Sequence, residues 1–231
     1  MRDHSMTYLK AHWQLVAIIA VVFALWHTPV VLPLKILVVF LHELSHAVAA
    51  WLTGGSVEQI SISSEQGGFA ITRGGNRFAI LSAGYLGSLV MGAALLLLAL
   101  RSTADRYVTA VLGATMLLVT VLYVRDLFAA LFCVTVGLFL LTIARFLGHA
   151  ANDMLLRVIG LTSLIYVPYD IFDDTIARSS QPSDAHMLAL EFGGATLMWG
   201  GLWLFLSAGV IYWCLLRILG TSSNLPFPKH P

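Results

Sequence analysis

One stretch, residues 34–52, limits this chain more than any other. It is apolar over almost its whole length and is long enough to cross a bilayer as a single helix. Inside it sit His42, Glu43 and His46. An acidic side chain at mid-bilayer costs about 2.5–3.5 kcal/mol on insertion scales, so a polar triplet there needs something to hold it. Residues four apart lie on one helical face, so both imidazoles can reach the same ion. The His-Glu-x-x-His pattern is that of two zinc ligands with the glutamate as general base for hydrolysis. Bound zinc contributes on the order of 10 kcal/mol in structural sites, which more than offsets the burial. Given 8 His and 4 Glu in 231 residues, chance supplies about 0.005 such patterns. The bland alternative, two histidines bonded to neighbouring helices, does not account for three such groups placed in hydrocarbon.

Composition fits a membrane setting. Hydrophobic residues make up 58% and charged residues 11%, against about 25% charged in soluble domains. A net charge of +1 lacks the basic surface that nucleic-acid binding needs, so no nucleic-acid partner is expected. Cys133 and Cys214 both lie in apolar runs and read as small buried hydrophobes, not as a disulfide or a metal pair. The polar residues 1–12 are followed by an apolar run without a small-residue cleavage site. This predicts a retained helix in place of a signal peptide.

Six full apolar spans are predicted, at 13–31, 34–53, 77–100, 107–123, 127–147 and 195–218, with a shorter run at 154–168. The short run falls in the range of re-entrant or interfacial segments and is not expected to cross cleanly. Gly54-Gly55 ends the motif helix. The alternating stretch Ser56–Ser63 and then Gly68–Gly75, joined by a turn, read as a β-hairpin. The fold class is therefore an all-α polytopic membrane protein, with six to seven transmembrane helices and a small β-hairpin after the motif helix. It is a single multi-pass domain over residues 1–231, with a core at about 34–178 and flanking helices at 13–31 and 195–218. With seven crossings, the basic residues divide six against seven, so charge does not orient the chain. Gly84, Ser88 and Gly92 form a small-xxx-small stripe that lets a neighbouring helix approach closely.

A catalytic zinc takes three protein ligands and keeps one position open. Two are local to the motif. Asp105, Asp126 and Asp153 sit in short connections, where solvation or capping suits them, and His149 and His186 read as interfacial. The better source is Tyr166-Val167-Pro168-Tyr169-Asp170-Ile171-Phe172-Asp173-Asp174, where an apolar half-span runs through a proline into acids. If the helix continues past Pro168, then Asp170, Asp173 and Asp174 share a face. Asp170, nearest the apolar run, is the first choice for the third ligand, and the other two would support the ligands or order the loop.

These residues give the chain a resemblance to the site-2-protease family of intramembrane zinc metallopeptidases, in its compact branch without soluble domains. His42–His46 corresponds to the family's HExxH and Gly54–Gly75 to its β element. Ala83-Gly84-Tyr85-Leu86-Gly87-Ser88 stands where the family has AGPxxN, and Val167-Pro168-Tyr169-Asp170 stands where it has Pro and LDG. Two departures are visible: the Pro and Asn of AGPxxN are replaced, and no Gly follows Asp170. The resemblance implies one Zn2+ per chain held by His42, His46 and Asp170, with Glu43 as general base. It also implies hydrolysis of peptide bonds in transmembrane or membrane-associated protein substrates. An extended substrate strand would pair with the hairpin edge. With no soluble domain, any substrate filter must be a regulatory membrane partner or the fold itself. The rival readings are a membrane zinc hydrolase acting on lipid or amide substrates, and a non-catalytic metal-binding scaffold or transporter. A pure binding site has no need of Glu43, and a transporter would be expected to show internal repeats.

Overall fold

The structure, a computed structural model, describes residues 2–178 and 182–225. Residues 1, 179–181 and 226–231 of the predicted domain lie outside the described residues. Eight helices and one hairpin follow in the order α1 (Arg2–Ala24), α2 (Leu32–Leu52), β1 (Ser56–Ile62), β2 (Gly68–Arg73), α3 (Arg77–Arg101), α4 (Asp105–Tyr123), α5 (Leu127–Phe146), α6 (His149–Phe172), α7 (Asp184–Phe192) and α8 (Thr196–Leu219). A π-helical turn, Asp173–Ala177, extends α6.

Among the described residues, six helical runs are long and apolar enough to cross a membrane: α2, α3, α4, α5, α6 with its π turn, and α8. The chain is an integral membrane protein. Two spans differ from the sequence reading. The predicted full span at 13–31 is helical only to Ala24, and its apolar part, Leu9–Ala24, is short of the length of a full crossing. Residues 25–31 turn instead, and Pro33 lies in the first turn of α2, where its missing N–H is not needed. The run at 154–168, expected to fall short, belongs to a helical segment of 29 residues, His149–Ala177. Its length was hidden by polar residues at its start. Arg157 and Asp153 pair one turn apart and are both buried, so two charges enter the bundle as one neutral unit. Pro168 is accommodated within the helix.

α3 is the axis of the bundle, packed by α2, α6, α7 and α8. Its small residues serve two neighbours. A Cβ on Gly87 would stand 2.5 Å from Ser45 Oγ of α2, and a Cβ on Gly92 would clash with Ser163 of α6. Ser163 Oγ donates to the Ser88 carbonyl at 2.9 Å, which satisfies a buried hydroxyl at the same crossing. Close backbone approach through small residues is how membrane helices gain packing without a hydrophobic drive between them.

The hairpin follows directly from the end of α2. β1 and β2 pair antiparallel, with Ser56 opposite Arg73, Ile62 opposite Gly68 and a bulge at Val57–Gln59. Ile60 and Ile62 are buried, and β1 packs on α2. Gly74 and Gly75 carry positive φ, and a Cβ on Gly75 would meet Thr53 Oγ1 at 2.8 Å, so this return to α3 needs glycine. The Asn76 side chain then caps α3 by accepting from Ala79 N–H at 3.0 Å.

Candidate metal centre

α2 is the most buried of the candidate spans, with 67% of its apolar window enclosed, whereas the corresponding share in α8 is 22%. That burial places His42, Glu43 and His46 inside the bundle. Glu43 and His46 are buried and His42 is half-buried. Gly84 of α3 makes the room, because a Cβ there would run into both imidazoles.

The two rings stand edge to face with centroids 4.8 Å apart. His46 Nδ1 lies 2.7 Å from the Ile80 carbonyl and therefore carries the proton, leaving Nε2 as a lone pair. That Nε2 faces Asp184 Oδ2 at 3.2 Å, and His42 Nε2 faces the same oxygen at 3.0 Å. A neutral His46 and an ionised Asp184 would thus set two acceptors against each other, a conflict that either a proton on Nε2 or a metal cation between them resolves. His42, His46 and Asp184 offer ligand atoms that all lie within 4.8 Å of one another. Two ligands held about 2.0–2.1 Å from a tetrahedral zinc would themselves be about 3.3 Å apart. The donor set and spacing fit that metal.

Asp184 is the first residue of α7. Ser183 caps this short helix by accepting from His186 N–H at 3.2 Å, and Ala185 and Leu188 are buried against the bundle. Burial alone would raise the Asp184 carboxyl, and positive charge on His46 and His42, when those rings are protonated, is what holds it below the usual carboxylate range. Asp184 was not among the ligand candidates named from the sequence. The signal was present, since Pro182-Ser183-Asp184 followed by apolar Met187 and Leu188 is a helix start that turns one face inward.

The acids first favoured stand elsewhere in the same cleft. The cleft encloses about 330 Å³ and is lined by the three converging residues, Glu43, hairpin residues 65–70, Tyr85, Asp170 and Asp174. α6 does continue past Pro168, as the shared-face argument requires. Its acids, however, have their own partners. Asp170 bonds to Tyr166. Asp174 accepts from the Tyr85 hydroxyl at 2.5 Å and from Arg178 at 2.8 Å, and Asp173 pairs with Arg178 at 2.7 Å. Among the described residues the group that could hold a metal includes Asp184 and none of Asp170, Asp173 or Asp174. Tyr85 ties the two walls together, its ring meeting the His42 ring edge to face with centroids 4.6 Å apart.

Glu43 lies against the hairpin. A Cβ on Gly68, the first residue of β2, would stand 2.6 Å from Glu43 Oε1. The strand backbone therefore passes directly beside this carboxylate.

The family model for Peptidase M50B-like proteins matches residues 15–214. The chain belongs to that family. Among membrane metallopeptidases this is the site-2-protease family, and the match takes in Asp184, α7 and most of α8, beyond the 34–178 core read from the motifs. No curated protein and no solved structure matches the chain.

Proposed function

We propose that this M50B-like protein is an intramembrane zinc metalloprotease that cleaves peptide bonds of membrane-protein substrates. The observation that carries the reading is the convergence of His42, His46 and Asp184 beside buried Glu43, at the floor of a cleft walled by a β-hairpin. In this reading the three residues hold one zinc ion, with Asp184 in the role first given to Asp170. Zinc bound there would polarise the scissile carbonyl and make water a nucleophile at neutral pH. Glu43 takes the proton from the attacking water and delivers it to the leaving amine. Its place in the cleft wall against Gly68 keeps the carboxylate directed at one position. The hydrogen bond from His46 to the Ile80 carbonyl fixes the ring that must present Nε2.

A helical substrate hides its carbonyls in i→i−4 bonds and must unwind to be cut. The hairpin supports an extended substrate. Among the described residues β2 pairs with β1 alone, which leaves its other edge to accept a strand, and Phe69 and Ala70 of β2 line the cleft. This feature favours a peptide over a lipid substrate.

The test is direct. Purified full-length protein in detergent is incubated with zinc and a labelled set of single-span membrane peptides, and the products are read by mass spectrometry. Truncated peptides that disappear with Glu43→Gln are the expected result. Intact peptides together with hydrolysed detergent-solubilised lipid would move the assignment to a lipid hydrolase.

A further inference from the structure

Away from the cleft, the C-terminal ends of α3 and α8 leave a groove of about 630 Å³ between them. Leu97, Leu98 and Trp213 line its length, and Arg101, Arg217 and Thr221 close one end. α3 and α8 are both candidate membrane spans, so this groove lies between the last turns of two such spans. The mix is that of an amphiphile's complement, apolar along most of the wall and cationic at one end.

The two arginines are not equivalent. Arg101 donates to the Thr221 hydroxyl and to the Arg217 carbonyl, with a longer bond of 3.4 Å to the Ile218 carbonyl. It caps α8 and holds a fixed positive charge at the groove end. Arg217 is exposed, with its guanidinium 5.5 Å from the Trp213 ring centroid. Neither has an acidic partner among the described residues. Two arginines thus line one groove without an acidic partner among the described residues, one of them beside Trp213. Guanidinium favours phosphate through its planar fork of donors.

We propose that this groove seats an anionic phospholipid, with its phosphate against Arg217 and Arg101 and its acyl chain along Leu97, Leu98 and Trp213. Charge complementarity selects this occupant over a neighbouring helix, which would have to bring an acid to the same end. A zwitterionic lipid also carries phosphate, but its ammonium would meet the same two cations. The site is separate from the metal centre and does not depend on the protease reading.

The full chain in mild detergent is titrated with phosphatidylglycerol or with phosphatidylcholine of the same acyl chains, and bound lipid is counted by native mass spectrometry. The expected result is one tightly retained phosphatidylglycerol per chain, held about fivefold or more over phosphatidylcholine. Arg217→Gln should lose that preference and Arg217→Lys should keep most of it. Arg125→Gln, in the α4–α5 connection, should behave as the unaltered protein. Equal retention of both lipids, or undiminished preference in Arg217→Gln, would overturn the proposal. So would a dimer that Arg217→Gln dissociates, since a second copy would then be the occupant.

Discussion

The end of α6 and the start of α7 both bring carboxylates to one cleft, yet only α7 sets one against the histidines. The α6 acids belong to a long helix whose position is fixed by packing along α3. They are consumed by local partners, Tyr166 for Asp170, Tyr85 and Arg178 for Asp174, and Arg178 for Asp173. α7 has nine residues, is packed on α3 and α8 through buried Ala185 and Leu188, and its first residue points into the group of histidines. The contrast teaches that proximity to an apolar run is a poor guide to which acid meets the histidines. A long helix commits its side chains to its own axis. A short capped helix laid across the cleft mouth is free to aim one residue at a target that the rest of the fold has already fixed.

The widest separation between the two regions should come from the general base. Glu43→Gln removes neither a ligand nor a contact of α6 or α7, so zinc content should stay near one per chain. Peptide cleavage should fall by about 10²–10⁴-fold, read by product release from a labelled peptide. Equal loss of zinc and cleavage would show that Glu43 serves the metal and not the proton.

Next in size is Gly84→Ala. A methyl group there meets both imidazoles, so zinc affinity should drop by about 10–100-fold in a chelator competition, comparable to losing a supporting partner of a metal ligand. Unchanged affinity would mean that α3 gives way at no cost.

Ser183→Ala tests α7 alone. It removes the cap of the helix that carries Asp184, a loss of about 0.5–2 kcal/mol. Because the cap and the ligand are adjacent, zinc binding should weaken by roughly two- to thirtyfold if that loss falls on the bound state. The smallest effect belongs to α6. Asp174→Asn disturbs the bonds from Tyr85 and Arg178 and should cost about 1 kcal/mol of thermal stability, with zinc affinity unchanged. A larger loss of zinc from Asp174→Asn than from Ser183→Ala would reverse the comparison.

Much of this was legible in the residues. His42, Glu43 and His46 announce themselves because the helix period is local, and Gly54 and Gly74-Gly75 bracket the hairpin by their conformational needs. The family resemblance rests on the same stretch. What could not be read is what depends on tertiary partners. The α6 span was masked by Asp153 and Arg157, which neutralise each other only when both are buried. α1 was overestimated because an apolar run says nothing about where its helix stops. Asp184, the acid that meets the two histidines, did not stand out because it and the acids at 170–174 are alike in composition. Only the packing of Ala185 and Leu188 distinguishes the one that turns inward.

The central claim is that the metal belongs to α2 and α7. Zinc per chain, measured by elemental analysis on protein purified with zinc supplied, tests it in three samples side by side: the unaltered chain, Asp184→Ala and Asp170→Ala. About one zinc in the unaltered chain and in Asp170→Ala, with none in Asp184→Ala, is the predicted result. Zinc retained in Asp184→Ala and lost in Asp170→Ala would contradict the account and return the third ligand to α6.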